Sequence, residues 1–394
     1  MNFEKLEYLI DHLKEFYGIP NCDCSVYYKH QEVFRRRAGF VDLEQTKPAS
    51  DDDLYFLYSA SKVTLAVASM QLVEKGLISL DDPVSKYLPE FASMMVKDGD
   101  KLVPCEKEAT IDDLLSMRAG LDYANTIPGA RPDMEEMVKN NPNASTREFI
   151  RQWLTVPLEF QPGTRFLYSM CLDVMGAVIE VVTGQTYSDY VKENIAKPLG
   201  MKDFELHVLP EHEDRMVQQY MYNVFAQNSI HSPEFTPMDK LYNLAVFGPN
   251  YDCAGGGVVT RVSDYVLLAD ALANDGVGAN GVRILTRESI DNMRTNRLTT
   301  DIQFADHAKM QNFGYGYGLG VRTLVNPNAA KSPVGEFGWD GLGGAFFLSD
   351  VENNIAIFFL MSVPGMVYLK PAVHNKLRDF TYEALENEIK EHKE

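Results

Sequence analysis

The longest apolar run in the chain, Ile355 to Val363, sets the first constraint on its fold. A helix that crosses a bilayer needs about 20 apolar residues, so this run is far too short to span one. Bounded by turn residues, it reads as a buried strand. Gly343 to Ser349 forms the other arm of a hairpin around Asp350 to Asn354. Near the opposite end, Ser25 to Gly39 reads as two strands around a turn at Lys29 to Gln31. Between these ends, Pro83 to Asn243 is mostly helix or loop. Strands separated by so long an insertion imply an α+β fold, an α/β sandwich. An antiparallel sheet flanked by N- and C-terminal helices would carry an inserted, mostly helical lobe. The expected division is 1–82 with 250–394 for the sheet domain and 83–249 for the helical one, with the active site between them.

Local signals fill in this outline. Phe3, Leu6, Ile10, Leu13 and Phe16 recur at helical spacing until Gly18 and Pro20 stop the helix. Val63 to Lys75 is helical by the same test, with Gly76 as its cap. Helix starts are expected at Thr110, at Ser145, near Asp173 and at the capping pair Ser263-Asp264. Gly314 to Val321 alternates glycine with larger residues, which predicts one strand with a nearly bare face and does not match a dinucleotide-binding glycine loop. A last amphipathic helix carries Val373, Leu377, Phe380, Leu385 and Ile389.

Charge and cysteine content narrow the function classes. The net charge of −19 makes nucleic acid and anionic membrane surfaces poor partners. Five sparse cysteines form neither a disulfide framework nor a zinc site, and no export signal is visible at the start, so a cytoplasmic protein without metal is expected. The sequon Asn143-Ala144-Ser145 carries no weight without secretion.

Three segments could carry chemistry. Ser59 and Lys62 stand at i and i+3 at the head of a helix, which puts both side chains on one face. A serine hydroxyl needs a base to become a nucleophile, and a helix N-terminus favours the negative charge that develops on it. Tyr168 follows the turn Gln161-Pro162-Gly163-Thr164 and precedes a helix, where its phenol could pass a proton. Gly338-Trp339-Asp340-Gly341-Leu342-Gly343-Gly344 clusters glycines in a strand, which suggests close approach of a ligand to the backbone. An N–H there could complete an oxyanion hole with that of Ser59. Each segment also has a plain structural reading: a capping serine with a surface lysine, a half-buried aromatic, a glycine-rich hairpin entry.

Taken in this order and at these separations, the three segments resemble the motifs of the serine β-lactamase and penicillin-binding protein superfamily. The similarity covers nearly the whole chain. Thr110-Ile111-Asp112-Asp113-Leu114-Leu115 with Ala119-Gly120-Leu121 resembles the segment TIRHLLTHTSGL. Phe160-Gln161-Pro162-Gly163 is similar to the F-x-PG approach to the tyrosine. Gly255-Gly256-Gly257, Ser263-Asp264 and Asn280-Gly281-Val282-Arg283-Ile284-Leu285 match as well. Two departures look like class C β-lactamase-like hydrolases of the family VIII carboxylesterase kind. Met170 stands where β-lactamases have the asparagine of Tyr-x-Asn, and Tyr168 to Gly176 is similar to the esterases' YSxxxDVLG. Trp339 stands where Lys-Thr-Gly or His-x-Gly would begin, and Gly335 to Gly341 nearly repeats GEFGWGG.

The resemblance implies a β-lactamase/transpeptidase-like fold and a serine hydrolase that works through a Ser59 acyl-enzyme. Lys62 and Tyr168 would relay the proton, with either as the base, and the N–H groups of Ser59 and Leu342 would bind the oxyanion. Trp339, Asp340, Gly341 and Met170 would contact substrate. An uncharged indole in place of lysine offers less to a substrate carboxylate, which favours small or apolar esters over lactams. The alternatives are a β-lactamase, a D-stereospecific peptidase or amidase, an acyltransferase, and a non-catalytic ligand-binding relative. The expected partner is a small-molecule ester or amide, and no metal or organic cofactor is required. Loops around Pro128 to Asn143 and Tyr220 to Gly248 would select the acyl and alcohol groups. A Ser-His-Asp hydrolase is disfavoured, because no GxSxG elbow is present.

Overall fold

The computed structural model describes residues 1–123, 136–137, 139–223, 235–239, 248–310, 313–366 and 370–393. Much of the two loop regions assigned above to substrate selection therefore lies outside the described residues.

The sheet begins with a tight turn. Asn21–Tyr28 (β1) pairs antiparallel with Gln31–Gly39 (β2), and the connecting Lys29 and His30 both have positive φ, 50° and 66°. Two such residues make a type I′ turn, whose twist matches that of the strands it joins. Short strands follow at Tyr55–Phe56 (β3), Phe204–Glu205 (β4) and Val259–Thr260 (β5), which form a small sheet in the order β3-β5-β4. The rest of the main sheet comes from Tyr315–Tyr317 (β6), Arg322–Leu324 (β7), Phe337–Asp340 (β8), Phe346–Asp350 (β9) and Ile355–Leu360 (β10). Its seven strands run β6-β7-β8-β9-β10-β1-β2, every neighbour antiparallel. The two ends of the chain meet where Tyr28 pairs with Ile355 and Asp23 with Leu360.

The apolar run is explained by burial on both faces. Ile355, Ile357 and Phe359 of β10 join a core with the terminal helices Glu4–Asp11 (α1), Leu13–Tyr17 (α2) and Asn375–Ala384. Ala356, Phe358 and Leu360 join the larger core on the other face. Strand alternation sends neighbours to opposite sides, so a strand covered on both faces shows no polar positions. On the second face lies Val262–Ala273, whose Tyr265 ring meets Phe347 at 5.6 Å and Phe358 at 5.0 Å.

The helix starts read from sequence have the expected chemistry at two places. Thr110 and Ser145 each make a capping box, with Asp113 and Glu148, at the heads of Ile111–Leu115 and Thr146–Trp153. The helix Lys62–Glu74 (α3) ends on Gly76, at φ 66°, with Leu77 N–H bonded to Leu72 C=O and Gly76 N–H to Val73 C=O. That pair of bonds is a Schellman cap.

Three expectations need correction. Gly314 to Val321 is not one strand. It breaks after Tyr317, where Gly318 N–H turns back to Val321 C=O at 2.8 Å. A side chain at 318 would collide with the Met293 carbonyl, so the glycines serve tight passage. Ser263-Asp264 does not cap its helix. Arg261 is the N-cap residue, and the Asp264 carboxylate instead binds Arg261 Nε at 2.7 Å. The final helix is two helices, Asn375–Ala384 and Glu386–Lys393, joined at Leu385. Among the described residues no helix is long and apolar enough to cross a membrane.

Two glycines with positive φ separate backbone strain from collision. A Cβ on Gly76 meets nothing within 4 Å, whereas one on Gly39 would stand 2.0 Å from the Pro20 carbonyl oxygen. Gly76→Ala should cost about 1 kcal/mol, from its left-handed backbone alone. Gly39→Ala should cost distinctly more. Urea unfolding midpoints check this, and equal losses would refute the collision at Gly39.

Candidate active site

Two short segments bring the first candidates together. The strand β3 leads into a 3-10 turn, Tyr58–Ser61, that runs directly into α3. Tyr58 has φ 50°, a conformation that costs a non-glycine residue on the order of 1–3 kcal/mol and persists only where neighbours enforce it. They do so here. Leu57 N–H bonds Val258 C=O at 2.9 Å, Ser61 Oγ–H bonds Tyr58 C=O at 2.7 Å, and the Tyr58 hydroxyl donates to Gln219 Oε1 at 2.5 Å. The turn leaves Ser59 half-exposed while Lys62, three residues on, has no solvent exposure.

Lys62 is held on three sides. Its Nζ donates to Ser59 Oγ at 3.1 Å, to the Gly255 carbonyl at 2.6 Å and to the Tyr123 hydroxyl at 3.3 Å. The i, i+3 spacing therefore does place serine and lysine within hydrogen-bond reach. The carbonyl can come so close because residue 255 is a glycine. A Cβ there would stand 2.5 Å from Asp173 Oδ2 and 3.4 Å from Lys62 Nζ.

Tyr168 enters from the turn before Cys171–Thr183. Its ring centroid lies 4.9 Å from Lys62 Nζ, and its hydroxyl accepts the Trp339 indole N–H at 3.2 Å. Its ring also lies 5.5 Å from that of Tyr123 and 5.4 Å from that of Trp339. Burial pushes the Tyr123 phenol well above its ordinary range, and the neighbouring Tyr168 and Asp173 add to the shift. Tyr123 thus stays protonated and can donate or accept without carrying charge.

The third segment arrives at the end of β8. A Cβ on Gly341 would stand 2.2 Å from the Leu57 carbonyl oxygen, and one on Gly343 would stand 3.1 Å from the Tyr58 ring. Leu342 sits between these two contacts, beside the Leu57–Tyr58 segment that leads into Ser59. The residue is 55% exposed.

Three expected substrate contacts have other duties in the structure. Trp339 is only 3% exposed and packs on Tyr168 and Tyr317. Asp340 points from the other face of β8 and pairs with Arg322 at 2.8 Å, as strand alternation dictates. Met170 is buried in the main core as the residue that precedes the helix Cys171–Thr183. Cys171 is likewise a packed thiol, 3.0 Å from Ser169 Oγ.

Sequence reasoning missed Tyr123, the Gly255 carbonyl as an acceptor for Lys62, and Asp173 as its neighbour. Tyr123 lay two residues beyond the matched Ala119-Gly120-Leu121, and proximity to that segment was the one available signal. Among the described residues no group of His, Cys, Asp or Glu converges to hold a metal ion.

A methyl at position 255 would wedge between Asp173 and Lys62. Gly255→Ala should lower unfolding free energy by about 1–3 kcal/mol. Chemical denaturation checks this, and an unchanged midpoint would mean that the glycine is not tightly enclosed.

Comparison with known proteins gives consistent matches over most of the chain. The Beta-lactamase family model matches residues 6–373. Esterase EstB of Burkholderia gladioli is 28% identical over 377 residues, covering 88% of each chain. Among solved structures, EstCE1, described as a hydrolase with promiscuous acyltransferase activity, superposes with a TM-score of 0.79 at 23% identity. That match covers 96% of this chain and 98% of the other. Unliganded simvastatin synthase (LovD) of Aspergillus terreus also gives 0.79, at 19% identity over 98% of both chains.

Proposed function

The chain belongs to the beta-lactamase family, and on that premise we propose that it is a serine hydrolase of the carboxylesterase type, acting on small or apolar esters. The observation that carries this reading is the fully buried Lys62 with Nζ 3.1 Å from the half-exposed Ser59 Oγ. A buried lysine aimed at a serine is costly as a structural ornament and useful as a means of activating a nucleophile.

In this reading Ser59 Oγ attacks the ester carbonyl carbon, and its proton passes into the Lys62–Tyr168 pair. The N–H groups of Ser59 and Leu342 hold the oxyanion of the tetrahedral intermediate. Collapse breaks the bond to the alcohol oxygen, which leaves with the proton. Water then attacks the acyl-enzyme by the same route and releases the acid. The site lies between the sheet domain, 1–82 with 250–394, and the lobe 83–249.

The substrate preference follows from the third segment. Trp339 is neutral and buried, and the neighbouring Arg322 is committed to Asp340. Neither offers a free positive charge to a substrate carboxylate. The exposed Leu342 side chain adds apolar surface beside the nucleophile. The name of the 28%-identical esterase EstB agrees with ester chemistry. The five free cysteines suit a reducing, cytoplasmic location.

The direct test compares wild type with Ser59→Ala on p-nitrophenyl acetate, p-nitrophenyl butyrate and a chromogenic cephalosporin. Ester turnover should fall by at least about 10³-fold in the variant, and lactam turnover should be small in both. Efficient lactam turnover would overturn the substrate argument, and Ser59-independent ester turnover would overturn the assignment. Transfer of the acyl group to an added alcohol would identify an acyltransferase. Trp339→Phe keeps an aromatic ring but removes the donor to Tyr168. Ester kcat should drop roughly threefold to tenfold with the fold retained, and an unchanged kcat would show that this hydrogen bond does not orient Tyr168 in the reaction.

A further inference from the structure

A carboxylate is buried directly behind the nucleophile's lysine, and the proposed reaction gives it no step. Asp173 occupies the first turn of Cys171–Thr183 and is 1% exposed. Its Oδ1 accepts the Tyr251 hydroxyl at 2.8 Å and the Gly255 N–H at 3.3 Å. Its Oδ2 is buried without a nitrogen or oxygen donor among the described residues, and the weakly donating Cys253 thiol is its neighbour. A dry carboxylate oxygen with only a weak thiol donor is expensive unless a cation compensates it. The cation is at hand. Asp173 Oδ2 and Lys62 Nζ both lie on the bare side of Gly255, 2.5 Å and 3.4 Å from the point where its Cβ would stand, close enough for their charges to interact without direct contact. The same peptide links them a second way. Gly255 gives its N–H to Asp173 and its C=O, at 2.6 Å, to Lys62.

The geometry points to Asp173 as the counter-ion that holds Lys62 as an ammonium group aimed at Ser59, acting across Gly255 and through its peptide. Asp173 is then a positioning residue for the proposed hydrolysis. The three acceptors around Nζ, namely Ser59 Oγ, Tyr123 OH and Gly255 O, match the three N–H bonds of an ammonium group. The titratable groups around Lys62 are Tyr123 from the loop after Leu121, Tyr168 from the turn before the helix, Asp173 within it, and Cys253 beside Gly255. Tyr251 and Tyr317 lie one layer further out. Of these, Asp173 alone is a carboxylate. Burial pushes the Cys253 thiol and the Tyr123, Tyr251 and Tyr317 phenols well up, so they remain neutral. Burial raises Asp173 as well, and the Lys62 charge opposes that rise.

The kinetic arm of the test rests on the Ser59 hydrolase reading, whereas the spectroscopic arm does not. Wild type, Asp173→Asn and Tyr251→Phe are compared by kcat/KM on p-nitrophenyl butyrate against pH. The Lys62 titration is followed in parallel by NMR of lysine-labelled protein, with the resonance assigned through Lys62→Met. An opposite charge at this range shifts a pKa by about one unit or more. In Asp173→Asn the Lys62 midpoint should fall by that amount, and the basic limb of kcat/KM should move to lower pH with it. Tyr251→Phe should move both in the same direction by less, and it decides alone if Asp173→Asn does not fold. An unmoved Lys62 midpoint in a folded variant would overturn the counter-ion. A fall of the acidic limb in place of the basic one would show that Lys62 works as a free amine, and would overturn its charged role. If Ser59→Ala retained turnover, the hydrolase reading would fall while the NMR midpoints still judged the ion pair.

Discussion

A lysine with no solvent exposure has to be satisfied entirely by its surroundings, and much of this chain is arranged around Lys62. Each N–H of the side chain reaches an acceptor from a different part of the sequence: the turn at Ser59, the loop at Tyr123 and the glycine run at Gly255. Close packing behind it accounts for two of the three glycines at 255–257. Gly255 has no room for a side chain against Asp173, and Gly257 has none against the Cys253 and Leu206 carbonyls. A site built this way is fixed before any ligand arrives, which is the condition under which hydrogen bonds and charges act most effectively on a reaction.

The main sheet serves the same arrangement from a distance. Strands from the two ends of the chain pair along β1 and β10, and helices cover both faces. Three strands away from β1, β8 carries Trp339 towards Tyr168 and turns Asp340 to Arg322 on its other face. The tight turn after β8 then brings Gly341 and Gly343, on either side of Leu342, against Leu57 and Tyr58. The small sheet of β3 and β5 fixes that turn from below, and Tyr58 is held at a positive φ by the bonds on either side of it.

What the sequence disclosed was local. The i, i+3 pairing of Ser59 with Lys62, the helix starts at Thr110 and Ser145, and the strands within Ser25 to Gly39 and Gly343 to Val363 followed from spacing and residue chemistry. The doubly buried strand β10 followed from its unbroken apolar run. What stayed hidden depends on approach in space. The Gly255 carbonyl belongs to a backbone group that no side-chain pattern marks. Tyr123 stands in a loop without periodicity. The Asp340–Arg322 pair crosses two strands, so it required the register of β7 against β8. Gly314 to Val321 misled because glycine alternation suits a bare strand face and a tight turn equally well, and the approach of Met293 decided between them.

The central claim is that Ser59 is a nucleophile activated by a buried lysine. It is tested most directly by treating the protein with a fluorophosphonate and locating the adduct by intact-mass and peptide mass spectrometry. The account predicts one stoichiometric adduct on Ser59, formed rapidly in wild type and absent in Ser59→Ala. Adduct formation elsewhere, or an inert Ser59 in folded protein, would contradict it.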